Sequence, residues 1–344
     1  MNWATNLPLP AVIAIFIVGA LVILVAGVRL VRLADELADI TGLGEAVFGA
    51  ALLGGSTSLP GIITSVTTAA AGFPQLAMSN AIGGIAAQTA FIVVADLAYR
   101  KANLEHAAAS LENIVNGTVL CSLLAVVLLA EAGPDWSFFG VHPASLMILG
   151  GYAFGLRIAR RLHANPSWHP HQTVKTNEDE PDTPDDNKTT RRWVLFATFA
   201  LTIGGAGYLV SVSSVAIVES TGLSQSLVGA LFTAVATSLP ELATAVAAVR
   251  HGAPTLAVGG IIGGNAFDVL FVFFADIAYR DGSIYHAVGA EERFLVSLAI
   301  IMTSVLLLGM VRREESGPAN IGFEGVLVLA LYFGGVITLM TGFG

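Results

Sequence analysis

Thr57-Ser58-Leu59-Pro60 returns 180 residues later as Thr237-Ser238-Leu239-Pro240. The same offset carries Gly72 and Pro74 onto Gly252 and Pro254, and Ile82-Gly83-Gly84 onto Ile262-Gly263-Gly264. It carries Asp96-Leu97-Ala98-Tyr99-Arg100 onto Asp276-Ile277-Ala278-Tyr279-Arg280, and His106 and Glu112 onto His286 and Glu292. From Thr57 to Glu112 the register needs no gap, so the two stretches read as copies of one unit.

The surroundings of both copies are apolar. Of 344 residues 55% are hydrophobic and 12% charged, against about 25% charged in soluble domains. The apolar residues come in long blocks, which suits a chain whose exterior faces lipid and excludes a soluble enzyme. No nucleophile–base pair or phosphate loop is present either, so the chain does not read as an enzyme. A net charge of −9 excludes a nucleic-acid-binding face. The single cysteine, Cys121, cannot form an intrachain disulfide. The run from Leu9 to Val28 has no basic residue before it and is long enough to span a bilayer, so it reads as a first span and not as a cleaved signal.

At about 20 apolar residues per crossing, the sequence predicts an all-α polytopic membrane protein with ten transmembrane helices. They fall near 9–30, 43–71, 75–99, 107–131, 141–162, 193–218, 223–250, 254–279, 291–311 and 322–343. The second and seventh contain Pro60 and Pro240 and are expected to be broken or kinked there. Between the fifth and sixth spans, His163 to Arg192 is rich in Pro, Asp, Glu, Asn and Thr, a composition that cannot offset its ordering entropy by burial. It reads as a loop, and His163, His169 and His171 within it read as solvated residues, since no cysteine or fixed spacing supports a metal site. The chain thus divides into a five-helix unit over 1–162, a cytoplasmic linker over 163–192, and a second five-helix unit over 193–344.

Basic residues set the orientation. With the N-terminus outside, Arg29, Arg32, Arg100, Lys101, Arg157, Arg160, Arg161, Lys175, Lys188, Arg191, Arg192, Arg250, Arg312 and Arg313 lie on the cytoplasmic side, leaving only Arg280 and Arg293 outside. Both termini are then external. Because five spans separate the copies, the second enters the membrane from the opposite side. That is the inverted repeat of secondary transporters, in which paired, Gly- and Pro-interrupted helices meet at a central site.

A carboxylate inside a membrane is costly and marks function by default. Glu241 follows Pro240, and Asp268 follows Gly263-Gly264-Asn265 in the next span. Thr237, Ser238 and Thr244 stand about one turn from Glu241, and Pro240 frees a carbonyl near Ala236. Carboxylates, hydroxyls and freed carbonyls are the oxygen ligands of a hard cation, and two carboxylates can also take up a proton when the cation leaves. Asp96 and Asp276 have Arg100 and Arg280 four residues on, which is salt-bridge spacing.

The stretch "ATSLPELATAVAAV" followed by "GGIIGGNAFDVLF" resembles the second signature repeat of the sodium/calcium exchanger family, within the calcium/cation antiporter superfamily. "STSLPGIITSV" followed by "SNAIGGIAAQ" resembles its partner. The resemblance implies movement of Ca²⁺ against Na⁺, H⁺ or K⁺ through one central cluster. By position it implies Thr57, Ser58, Gln88, Thr237, Ser238, Glu241 and Asp268 as ligands, with Ala234 as a carbonyl donor.

Both copies depart from the pattern, the first more than the second. Gly61 stands where the family has a glutamate, leaving a gap opposite Glu241. Gln88 stands where an asparagine is expected, and Gly84 and Gly264 replace serines. Glu45 cannot substitute for the missing glutamate, being about four turns or roughly 24 Å away along a helix. The reading is therefore a secondary active antiporter in the cytoplasmic membrane. Its partners are the lipid bilayer and cations, it needs no cofactor, and Ca²⁺/Na⁺ exchange comes first because of Glu241 and Asp268. A proton- or monovalent-cation-coupled antiporter is the rival that Gly61 favours. A non-transporting membrane scaffold or sensor is the rival of another class, against which the persistence of both Thr-Ser pairs argues.

Overall fold

The computed structural model describes residues 2–41, 50–99, 103–164, 189–313 and 322–342. Every regular element among them is a helix. Within lipid each backbone N–H and C=O must be satisfied inside its own segment, which a helix does. The main helices are α1 (Leu9–Thr41), α2 (Ala50–Thr57), α3 (Leu59–Ala70), α4 (Pro74–Ala98), α5 (Leu111–Ala132), α6 (Pro143–Ala164), α7 (Thr189–Thr221), α8 (Gln225–Thr237), α9 (Leu239–His251), α10 (Pro254–Asp268), α11 (Leu270–Ala278), α12 (Ala290–Arg312) and α13 (Phe323–Thr341).

Among the described residues seven segments are long and apolar enough to cross a membrane: α1, α4, α5, α7, α10 with α11, α12 and α13. The pair α8 and α9, bent by 45° at its break, is an eighth candidate if it counts as one broken span. The chain is thus an all-α polytopic membrane protein. Two of the ten expected spans fall short of that measure. α3 has only 12 residues, and α6 carries Arg157, Arg160 and Arg161 in its last two turns. Glu45, Arg100, Lys101, His169, His171, Lys175 and Lys188 lie outside the described residues, as does most of the linker.

The expected breaks occur, but two residues before the prolines. α2 stops and α3 starts around Ser58, and α8 stops and α9 starts around Ser238. Each second half-helix then opens with Leu-Pro. Proline suits the first turn of a helix, where its missing N–H has no partner to lose, so here it starts a helix instead of kinking one. α8 also contains a π-helical turn over Val228–Thr233, a rare element that recurs next to functional sites.

α4 is the most enclosed span, with 78% of its apolar window buried, against 28% for α1 and for α13. It packs on α3, α8, α9, α10, α12 and α13. Small residues allow the closest crossing: a Cβ at Gly83 would lie 2.5 Å from Ala230 Cα, and one at Gly229 would lie 2.7 Å from Ser79 Cβ. On the outside, Ile13, Ile17, Leu21 and Val25 of α1 recur every four residues and are exposed. That spacing puts them on one face, the face such a helix turns to lipid.

The conserved register of the two copies extends into their joints. Asp96 accepts the amide of Leu104 at 2.7 Å, and Asp276 accepts that of Ile284, the equivalent residue, at 3.3 Å. His106 meets the carbonyl of Arg313 at 3.0 Å, and His286 that of Gly133, again 180 residues apart, at 3.0 Å. The salt bridge expected from Asp276 to Arg280 does not form. Asp276 is instead held by His142 N at 2.8 Å and Ser145 Oγ at 2.7 Å, so that it fastens the start of α6. Glu292 acts likewise for α12: it accepts Ser79 Oγ at 3.0 Å, Gly289 N at 2.8 Å and the Ser226 hydroxyl, joining α12 to α4 and α8.

Gly83→Val should force α4 away from α8. The expected cost is about 1–3 kcal/mol, read as a lower unfolding midpoint of the purified protein in detergent. An unchanged midpoint would mean that the two helices do not meet at this contact.

Candidate functional site

The two helix breaks put Ser58 and Ser238 side by side with α4 and the end of α10. Ser58 Oγ donates to Asp268 Oδ1 at 2.5 Å. Gln88 Nε2 donates to Asp268 Oδ2 at 2.7 Å and lies 3.1 Å from Ser238 Oγ. Gln88 and Asp268 are equivalent residues of the two copies, and their contact is what a two-fold axis produces. One turn away Asn265 Nδ2 meets Ile85 O at 3.4 Å, its own equivalent, and Thr89 Oγ1 at 3.1 Å.

Glu241 occupies the first turn of α9, where the helix dipole favours a negative charge. The Thr57 hydroxyl, one residue before the break, donates to Gly54 O of its own helix at 3.0 Å, and Asp268 is within electrostatic reach of Glu241. Glu241 is 6% exposed and Asp268 1%. Among the described residues no lysine or arginine pairs with either. Three buried oxygens around this point, Glu241 Oε2, Gln88 Oε1 and Asn265 Oδ1, have no hydrogen-bond partner among the described residues. A buried carboxylate pair without a positive partner is costly, and unpaired acceptors add to that cost. A cation or protons supply what the side chains lack, and two carboxylates among neutral oxygens suit a hard cation.

Of the expected residues, Ser58, Gln88, Ser238 and Asp268 form one hydrogen-bonded set, whereas Thr57 bonds to Gly54 O of its own helix. Thr237 and Ala234 are turned toward their own helix. Thr237 Oγ1 lies 2.9 Å from Thr233 O and 3.3 Å from Ala234 O, and the Ala234 carbonyl also accepts Ser238 N at 3.1 Å. Gly84 and Gly264 do face the cluster: their Cβ positions lie 3.5 Å from Ser238 Oγ and 3.8 Å from Gln88 Oε1.

The gap expected at Gly61 is filled. A Cβ there would enter the ring of Phe271, whose Cζ would be 2.9 Å away. The place of the missing glutamate is therefore taken by an aromatic ring from α11, which an inspection of α3 alone cannot reveal. Asn80 also escaped the sequence reading. It donates to Gly61 O at 3.2 Å and to Ser65 Oγ at 2.9 Å, and its Oδ1 is 3.5 Å from Thr237 Oγ1. An amide inside an apolar span was the signal for it.

The profile of the sodium/calcium exchanger protein family matches residues 11–154 and 192–341, both halves of the chain. The chain belongs to this family of membrane cation antiporters. CaxA of Alkalimonas amylolytica is 28% identical over 329 residues, covering 94% of this chain and 97% of CaxA. Inner membrane protein YrbG of Escherichia coli K12 is 26% identical over 304 residues, covering 85% and 87%. The crystal structure of the H⁺/Ca²⁺ exchanger CAX superimposes with a TM-score of 0.71 over 96% of this chain and 82% of that one, at 15% identity. The exchanger fold is thus shared while most side chains differ.

Phe271 makes a specific prediction. Gly61→Glu alone should collide with the ring and destabilise the protein. Gly61→Glu together with Phe271→Ala makes room for a third carboxylate, and Ca²⁺ affinity should rise about tenfold, or 1.4 kcal/mol. Isothermal titration of the single and double variants checks this. Equal Ca²⁺ affinity in the double variant and the wild type would show that position 61 does not border the cation site.

Proposed function

We propose that this exchanger moves Ca²⁺ against Na⁺ by alternating access, with the cation held between Glu241 and Asp268. The observation that carries the reading is the buried carboxylate pair, with Ser58, Gln88 and Ser238 in one hydrogen-bonded set around Asp268; Thr57, Thr237 and the Ala234 carbonyl would turn to the cation from their present bonds within their own helices. Ten spans would form two inverted five-helix units, 1–162 and 193–344, joined by a cytoplasmic loop over 163–192. The contact of Gln88 with Asp268 and of Ile85 with Asn265 supports such an axis, since only equivalent residues meet on it. Rocking one unit against the other would open the cluster to each side in turn. The protein would lie in the cytoplasmic membrane with both termini outside, in keeping with the basic residues and with the inner-membrane relative.

Coupling to protons is the second reading, and Phe271 favours it. With an aromatic ring in place of a third acid, the cluster has fewer charges to hold Ca²⁺, and protons could neutralise the two that remain. The H⁺/Ca²⁺ exchanger that shares the fold is consistent with this coupling.

Glu241→Gln keeps the shape of the side chain and removes its charge. It should abolish Ca²⁺ flux in proteoliposomes while the protein still purifies as a single folded species. Imposing a Na⁺ gradient or a pH gradient separately identifies the coupling ion. Wild-type flux in Glu241→Gln would defeat the assignment. For the orientation, protease added to the outside of intact cells should leave the 163–192 loop uncut, and cleavage there would reverse it.

A further inference from the structure

Far from the central cluster, the end of α4 meets the start of α13. Asp96, Asn103 and Glu324 converge there, and each is at most 1% exposed. Asn103 Nδ2 donates to Glu324 Oε1 at 2.6 Å, and Leu104 N donates to Asp96 Oδ1 at 2.7 Å. Asp96 lies within electrostatic reach of Glu324. The remaining oxygen of each side chain, Asp96 Oδ2, Glu324 Oε2 and Asn103 Oδ1, is buried with no hydrogen-bond partner among the described residues.

The other copy shows what such a joint needs. There Asp276 fastens the start of α6 through three donors: His142 N, Ser145 Oγ and Ile284 N. The register maps His142 onto Gly322, Ala144 onto Glu324 and Ser145 onto Gly325. So the hydroxyl donor is gone and a second carboxylate has arrived. Two acids face a joint that in the other copy holds one acid and its donors. Among the described residues the nearby cations have other partners: Arg312 stands 4.8 Å over the Phe323 ring, and Arg313 Nη2 donates to His106 O at 3.2 Å. Gly322 keeps the place open, because a Cβ there would fall on the Glu324 carboxylate and the Asn103 amide. On the far side Gly309 of α12 lets the Glu324 stem pass, with Cγ 2.5 Å from its Cβ position.

We propose that Asp96, Asn103 and Glu324 form a second cation site, separate from the central one, that takes a hard divalent ion of the Ca²⁺ type. Two carboxylates and an amide oxygen supply charge and ligands of the kind such an ion selects, with water or backbone completing its shell. The ion replaces the missing donors and ties the first turn of α13 to the last turn of α4. It is a resident, joint-closing ion, and α4 also carries Gln88 of the central cluster, so its binding bears on how freely α4 moves.

The test is Ca²⁺ stoichiometry on the purified full-length protein by equilibrium dialysis with radioactive Ca²⁺. In the Glu241→Gln/Asp268→Asn background, one Ca²⁺ per chain should remain. Adding Asp96→Asn or Glu324→Gln should remove it, and Gly322→Ala should weaken it by filling the cradle. Ca²⁺ should also raise the unfolding midpoint of the background protein, a readout that needs no further substitution. Absence of both bound Ca²⁺ and a midpoint shift in that background overturns the proposal. So does a bound ion that survives both Asp96→Asn and Glu324→Gln, as it would if water or shared protons satisfy these oxygens. Loss of one ion per chain on Asp96→Asn in the wild type reads the same site whichever ion the central cluster carries.

Discussion

Asp268 sits at the end of α10 with its two oxygens held by Ser58 at 2.5 Å and Gln88 at 2.7 Å. Both donors come from the other copy of the repeat. A buried carboxylate is stabilised only by donors or positive charge, so Asp268 requires the first copy to be folded against the second. The helix break at Ser58, the burial of α4 and the close crossing at Gly83 all serve to bring those donors to it. The two donors are neutral, and Glu241 adds a second acid nearby. The cluster is therefore organised around the carboxylates but short of positive charge, which is the condition for binding a cation reversibly.

The breaks in α2–α3 and α8–α9 link the backbone to this chemistry. A continuous helix would aim the side chains at positions 58 and 238 along its own flank and satisfy its carbonyls internally. Ending each helix one residue before Leu-Pro starts a second helix whose first turn offers positive dipole to Glu241. The same break in α2–α3 receives no acid, because Gly61 backs onto Phe271. The site is thus lopsided: its charge comes from the second copy, and the first contributes hydroxyls and an amide. The charge of the cluster is set by this asymmetry and not by the fold, which the H⁺/Ca²⁺ exchanger CAX shares at 15% identity.

Much of this was legible in the residues. The repeat, the apolar spans and the intramembrane acids were read from spacing and cost alone, and Ser58, Gln88, Ser238 and Asp268 do meet. What was not legible depends on contacts between distant segments. The Asp276 partners could not be guessed from i and i+4 spacing, since Arg280 is close in sequence while His142 and Ser145 lie 134 and 131 residues away. The role of Glu292 needed the positions of Ser79 and Ser226. The filling of the Gly61 position needed the direction of the Phe271 ring. The proline breaks were placed two residues late because a proline in a long apolar run reads as a kink until one sees that it opens a new helix.

The central claim is that Glu241 and Asp268 together seat the transported cation. Infrared difference spectroscopy on the purified protein addresses it without any coupling assumption. Adding Ca²⁺ should shift carboxylate stretching bands in the wild type, and the part of that change due to the central pair should vanish in Glu241→Gln and in Asp268→Asn. Identical difference spectra in the wild type and in both variants would contradict the account, because the cation would then be bound by groups other than these two carboxylates.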